Sequence, residues 1–141
     1  MLLATTARTL RTVSIVYLVV GLIFATASWA PIDAPGRLMF DLIDWPVDGS
    51  PPLERAARVA AAVGGGLLVG FAALCLLVVA PEIERGNLRV VRGTIVALLA
   101  WFVVDSAGSI GSGVWTNALL NVPFLLFWLV PLWRVRKPDG E

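Results

Sequence analysis

Asp105, Ser109 and Ser112 recur at spacings of four and three, so on a helix they share one face. Asn117 and Asn121, four apart, follow a short distance on. A carboxylate backed by hydroxyls and carboxamides can bind a polar ligand, pass a proton, or hydrogen-bond helices to one another. Arg58 is the cation expected to face Asp105, with Arg55 one turn above it. The chain has no histidine, which removes the usual general base, proton shuttle and commonest metal ligand together. The single cysteine, Cys75, can form neither an intrachain disulfide nor a thiolate metal cluster. Asp105, Arg58, Ser109, Ser112, Asn117 and Asn121 therefore form the candidate binding site. Two readings of it stay open, a network that fixes helix register and a binding or relay site. No catalytic residue, metal ligand or cofactor motif is read from the sequence.

The elements that must position these groups are apolar throughout. Of 141 residues 58% are hydrophobic, against roughly 45–50% in soluble domains. Four apolar stretches, at about 12–30, 56–80, 90–110 and 115–133, each suffice for one bilayer crossing of roughly 20 residues. The expected fold is all-α, an integral membrane four-helix bundle forming a single transmembrane domain over 1–141, with an outer loop at 31–55. With Val90 at the inner boundary, Asp105 lies about 22 Å along its helix, in the outer half of a core about 30 Å thick. Ionisable residues inside a membrane are costly and are functional candidates for that reason.

The outer loop carries its own periodicity. Arg37, Asp41, Asp44 and Asp48 recur on one face, and Leu38, Leu42 and Trp45 on another. This predicts a short interfacial amphipathic helix between the first and second spans, apolar side down and acidic side up. Pro31 is expected to end the first span and Pro81 the second, and Ser50 to cap the second ahead of Pro51. Within the second span Ala62, Gly66 and Gly70 form a smooth ridge, with Gly65 beside it. Small residues let helices approach closely in lipid, so this ridge is expected to pack on another helix of the chain, with self-association as the alternative. Repeated Ala-Pro and Leu-Arg pairs at the span ends give only a faint sign of a duplicated hairpin.

Charge sets the expected orientation. Arg8, Arg11, Arg85, Arg89, Arg92, Arg134, Arg136 and Lys137 fall on one side of four crossings. Arg37, Arg55 and Arg58 fall on the other, diluted by five acids. Basic residues accumulate on the cytoplasmic side, which puts both termini there. A competing reading makes Val13–Phe24 the apolar core of a cleaved signal peptide, leaving three spans.

From Arg55-Ala56-Ala57-Arg58 through Gly64-Gly65-Gly66-Leu67-Leu68-Val69-Gly70, preceded by an amphipathic loop, the layout resembles a broad group of small four-helix bacterial inner-membrane proteins. Arginine-rich, alanine-rich composition agrees with a bacterial source. The resemblance implies the fold and the membrane, assigns no activity, and departs at Asp105. The function expected is a non-enzymatic accessory, scaffold or lipid-associated protein. The alternatives are an oligomeric transporter or channel protomer using Asp105 and Arg58, and a lipid-acting membrane enzyme. Expected partners are membrane lipid, another membrane protein or a second copy; a net charge of +1 gives no reason to expect nucleic acid.

Overall fold

The computed structural model describes residues 2–49 and 51–135. Five helices account for most of them: α1 (Leu2–Thr26), α2 (Ala34–Ile43), α3 (Arg55–Glu84), α4 (Leu88–Gly111) and α5 (Trp115–Trp133). Four of these, all except α2, are long and apolar enough to cross a membrane. Their surfaces agree: Leu67, Leu77 and Val104 are 70%, 71% and 74% exposed. Such side chains on two different helices would be strongly disfavoured facing water.

The expected boundaries shift at several places, first at α1, which starts at Leu2 rather than near residue 12 and so takes Arg8 and Arg11 into the helix. Helix α1 ends at Thr26, and Pro31 sits in a short turn of its own, Ala30–Ile32. Helix α3 starts at Arg55 behind Glu54, so Pro51 and Pro52 precede it; the expected cap Ser50 lies outside the described residues. Pro81 does not stop α3. The turn over Cys75–Val79 widens, with the Ala80 amide donating to the Cys75 carbonyl five residues back. A proline cannot donate to the carbonyl four residues before it and crowds it, and a widened turn relieves that conflict while the helix continues to Glu84.

Helix α1 is the centre of the arrangement. It packs most extensively on α3, and also on α2 and α5, while α4 packs chiefly on α5. The α1–α3 contact is made where side chains vanish. A Cβ placed on Gly65 would come within 2.6 Å of the Gly21 carbonyl oxygen, and one on Gly21 within 3.0 Å of the Gly65 oxygen. The backbones therefore touch, which is how helices gain dispersion contact in an apolar solvent. The glycine ridge proposed from spacing is one residue out of phase. Gly65 and Ala61 are buried, whereas Ala62, Gly66 and Gly70 face outward, with nothing within 4 Å of a Cβ at either glycine.

Midway along the bundle, aromatic rings join three helices. Tyr17 of α1 lies 4.5 Å from Phe124 and 5.2 Å from Trp128 of α5, and Trp128 meets Phe71 of α3 edge-on at 5.3 Å. The Tyr17 hydroxyl donates to the Phe124 carbonyl at 3.2 Å, so its polar end is satisfied inside the apolar contact. At one end of the bundle Arg11 forms a two-pronged ion pair with Glu84, at 2.7 and 3.0 Å, joining α1 to the end of α3.

Helix α2 folds back on the other end of α1. Gly36 lies against Ala27 so closely that a Cβ would fall 2.3 Å from the Ala27 nitrogen, and Phe40 stacks on Phe24 at 4.8 Å. The Thr116 hydroxyl donates to the Ile43 carbonyl, tying α2 to the start of α5. Leu38, Leu42 and Trp45 project outward as an apolar face, but the acidic side differs from the expected upward-facing stripe. Asp33 and Asp41 are buried, Asp33 lying 3.2 Å from Arg37, and only Asp44 and Asp48 stay exposed.

Candidate functional site

Helices α4 and α5 form an antiparallel hairpin closed by Ser112-Gly113-Val114, with Gly113 at φ +84°, a left-handed conformation that side chains resist. Polar residues cross this hairpin in two rungs. The Asn121 carboxamide donates to Asp105 Oδ2 at 2.8 Å and to Ser106 Oγ at 3.1 Å. The Asn117 carboxamide donates to Ser109 Oγ at 2.7 Å. Asp105 and Asn121 are 16 residues apart, Ser109 and Asn117 8 apart, and both pairs are centred on Gly113. In an antiparallel hairpin, residues equally far from the turn lie opposite each other. A step of four residues carries each rung one turn along, about 6 Å.

Burial deepens away from the turn. Asn121 is 5% exposed and Ser106 8%, while Asp105, Ser109 and Asn117 are half-buried and Ser112 is exposed. Ser109 also donates to the Asp105 carbonyl at 2.8 Å, and Ser112 donates to the Gly108 carbonyl, so Ser112 takes no part in either rung. Each hydroxyl uses the carbonyl four residues back on its own helix.

Arg58 is elsewhere. Its Nε donates to the Leu53 carbonyl at 2.8 Å, turning back toward the segment that leads into α3, and no ion pair links it to Asp105. The cause is topological: α3 and α4 meet near the α3–α4 turn and separate beyond it, because α1 and α5 fill the space between them. A sequence contains depth along each helix but no list of neighbours, so matching depth alone pairs Arg58 with a helix that it does not face. Ser106, the deepest partner of Asn121, was missed for a similar reason, since it sits off the Asp105–Ser109–Ser112 face. Equal spacing of 105/121 and 109/117 about Gly113 was the signal that would have identified the rungs.

Chemically this is a clasp. Asn121 spends both its donor bonds across the hairpin, and Asp105 accepts from that carboxamide and makes no ion pair among the described residues. Among the described residues no three His, Cys, Asp or Glu side chains gather as metal ligands. Two clefts lie away from the clasp. One of about 380 Å³ sits at the open end of the hairpin, lined by Leu88, Val91, Arg92, Ile95, Leu132, Trp133 and Val135. A smaller one of about 200 Å³ lies along α2.

Fold and site together define a helical protein with four candidate membrane spans and a polar clasp in one hairpin. No known protein family matches the chain, and no curated protein or solved structure shows significant similarity to it.

Proposed function

We propose that this is a multi-pass protein of the bacterial inner membrane that works without catalysis, as a lipid-associated scaffold or accessory subunit. Both termini lie in the cytoplasm, and α2 rests at the outer interface with Leu38, Leu42 and Trp45 toward the lipid. The observation that carries the scaffold reading is the clasp: its carboxamides and hydroxyls are spent on holding α4 against α5. Further support comes from α1, which supplies the face on which α2, α3 and α5 pack; we therefore take it as a retained span rather than a cleaved leader. The outward ridge of Ala62, Gly66 and Gly70 favours a second copy or another membrane protein as the partner, because it presents backbone for close approach and none of the described residues covers its glycines.

The test is isolation of the protein in nanodiscs, followed by native mass spectrometry and by flux assays in vesicles. Retained lipid, with no solute flux and no lipid turnover, is the expected result. Solute transport that disappears in Asp105→Asn would overturn it in favour of a transporter. A chemically altered lipid would do so in favour of an enzyme.

A further inference from the structure

The arginines at the end of the bundle that holds the α3–α4 turn are not equivalent. Arg11 is neutralised by Glu84 and Arg85 by Glu82. Glu84 and Glu82 are thereby occupied, Glu82 also accepting from Asn87 at 2.8 Å. Arg89, Arg92 and Arg134 form no ion pair or side-chain hydrogen bond among the described residues. Of these three only Arg92 lines the larger cleft.

That cleft has the chemistry of a lipid rather than of a free anion. Leu88, Val91, Arg92 and Ile95 follow the spacing of one helical face, and Leu132 and Trp133 close the other side. Arg92 stands four residues into α4, about 6 Å along the axis, where an arginine stem lies on apolar surface and its guanidinium reaches the headgroup level. Trp133, 68% exposed on the rim, is the residue type that settles at that level. Among the described residues no acid lines the cleft, whereas the smaller cleft along α2 contains Asp41, and its Arg37 is paired with Asp33.

We propose that this cleft binds one anionic phospholipid, an acyl chain lying between α4 and the end of α5 and the phosphate on Arg92. The proposal rests on the lipid-associated reading above and gives it a place and a headgroup charge. A guanidinium grips phosphate through paired, charge-assisted hydrogen bonds, and the apolar walls add a contact that inorganic phosphate cannot use.

Native mass spectrometry of the full chain, titrated with phosphatidylglycerol and separately with phosphatidylcholine, tests it. The expected result is one phosphatidylglycerol held in preference to phosphatidylcholine. Arg92→Gln should lower its occupancy about tenfold, the loss typical of a hydrogen-bonded charge. Ile95→Trp, which fills the cleft without changing charge, should lower it as well. Arg89→Gln removes the same charge outside the cleft and should leave occupancy within about twofold. Glycerol phosphate should not displace the lipid. Equal losses in Arg89→Gln and Arg92→Gln would mean diffuse attraction, and displacement by glycerol phosphate would mean a simple anion site; either overturns the proposal. Lipid retained but indifferent to both Arg92→Gln and Ile95→Trp also overturns it while leaving the lipid-associated reading standing. Absence of any retained lipid defeats both.

Discussion

Two helix pairs in this bundle solve the same problem in opposite ways. Helices α1 and α3 meet backbone to backbone through Gly21 and Gly65, with no polar group needed at the contact. Helices α4 and α5 are joined by carboxamide, carboxylate and hydroxyl across a hairpin. In an apolar solvent there is no water to expel, so association must come from close packing or from hydrogen bonds. Packing at a glycine contact fails abruptly when an atom is added. A hydrogen-bonded contact loses one bond at a time, and the residues around it go on packing.

The largest effect should come from breaking the first pair. Gly65→Leu places atoms where the Gly21 oxygen and Ala25 already stand, and overpacking of this kind costs about 1–3 kcal/mol or more. Thermal unfolding in detergent should show a substantial fall in melting temperature. Gly66→Leu, one residue away and facing outward, should leave the monomer's melting temperature nearly unchanged. Any effect of Gly66→Leu should appear in self-association instead. Equal destabilisation by the two variants would refute the assigned phase of α3.

A smaller effect separates the second pair. Asp105→Leu and Asn121→Leu should each destabilise, and together they should be non-additive, with a coupling of about 0.6–2 kcal/mol. Repeating the cycle with Arg58→Gln in place of Asn121→Leu should give losses that simply add, because Arg58 bonds to Leu53 instead. Coupling between Asp105 and Arg58 would show that α3 and α4 approach more closely than this arrangement allows.

The smallest effect belongs to the ion pair at the arginine-rich end. Arg11 and Glu84 are 37% and 40% exposed at their side chains, so water and salt screen them. Glu84→Gln should shift the melting temperature only slightly, and that shift should shrink further as salt is raised. A large, salt-independent loss would mean that the pair fixes the bundle end more rigidly than its exposure implies.

Some of this is legible in the sequence alone. The four apolar stretches, the turn regions between them, the asymmetry of arginine and the polar run after Val104 are properties of position along the chain. A helix rises by a constant amount per residue, so length and depth follow from counting. Rotation about each helix axis did not follow. Gly64-Gly65-Gly66 spans roughly 200° of helix surface, so three adjacent glycines leave the contact face open. In a water-soluble protein the apolar stripe would have resolved that ambiguity. On helices apolar enough to cross a membrane the outward and inward faces are alike, and Leu67, facing outward, is as apolar as buried Leu10. Which helices are neighbours depended on how α1 and α5 fill the middle of the bundle, and that arrangement separated Arg58 from Asp105 and brought Asn121 to it.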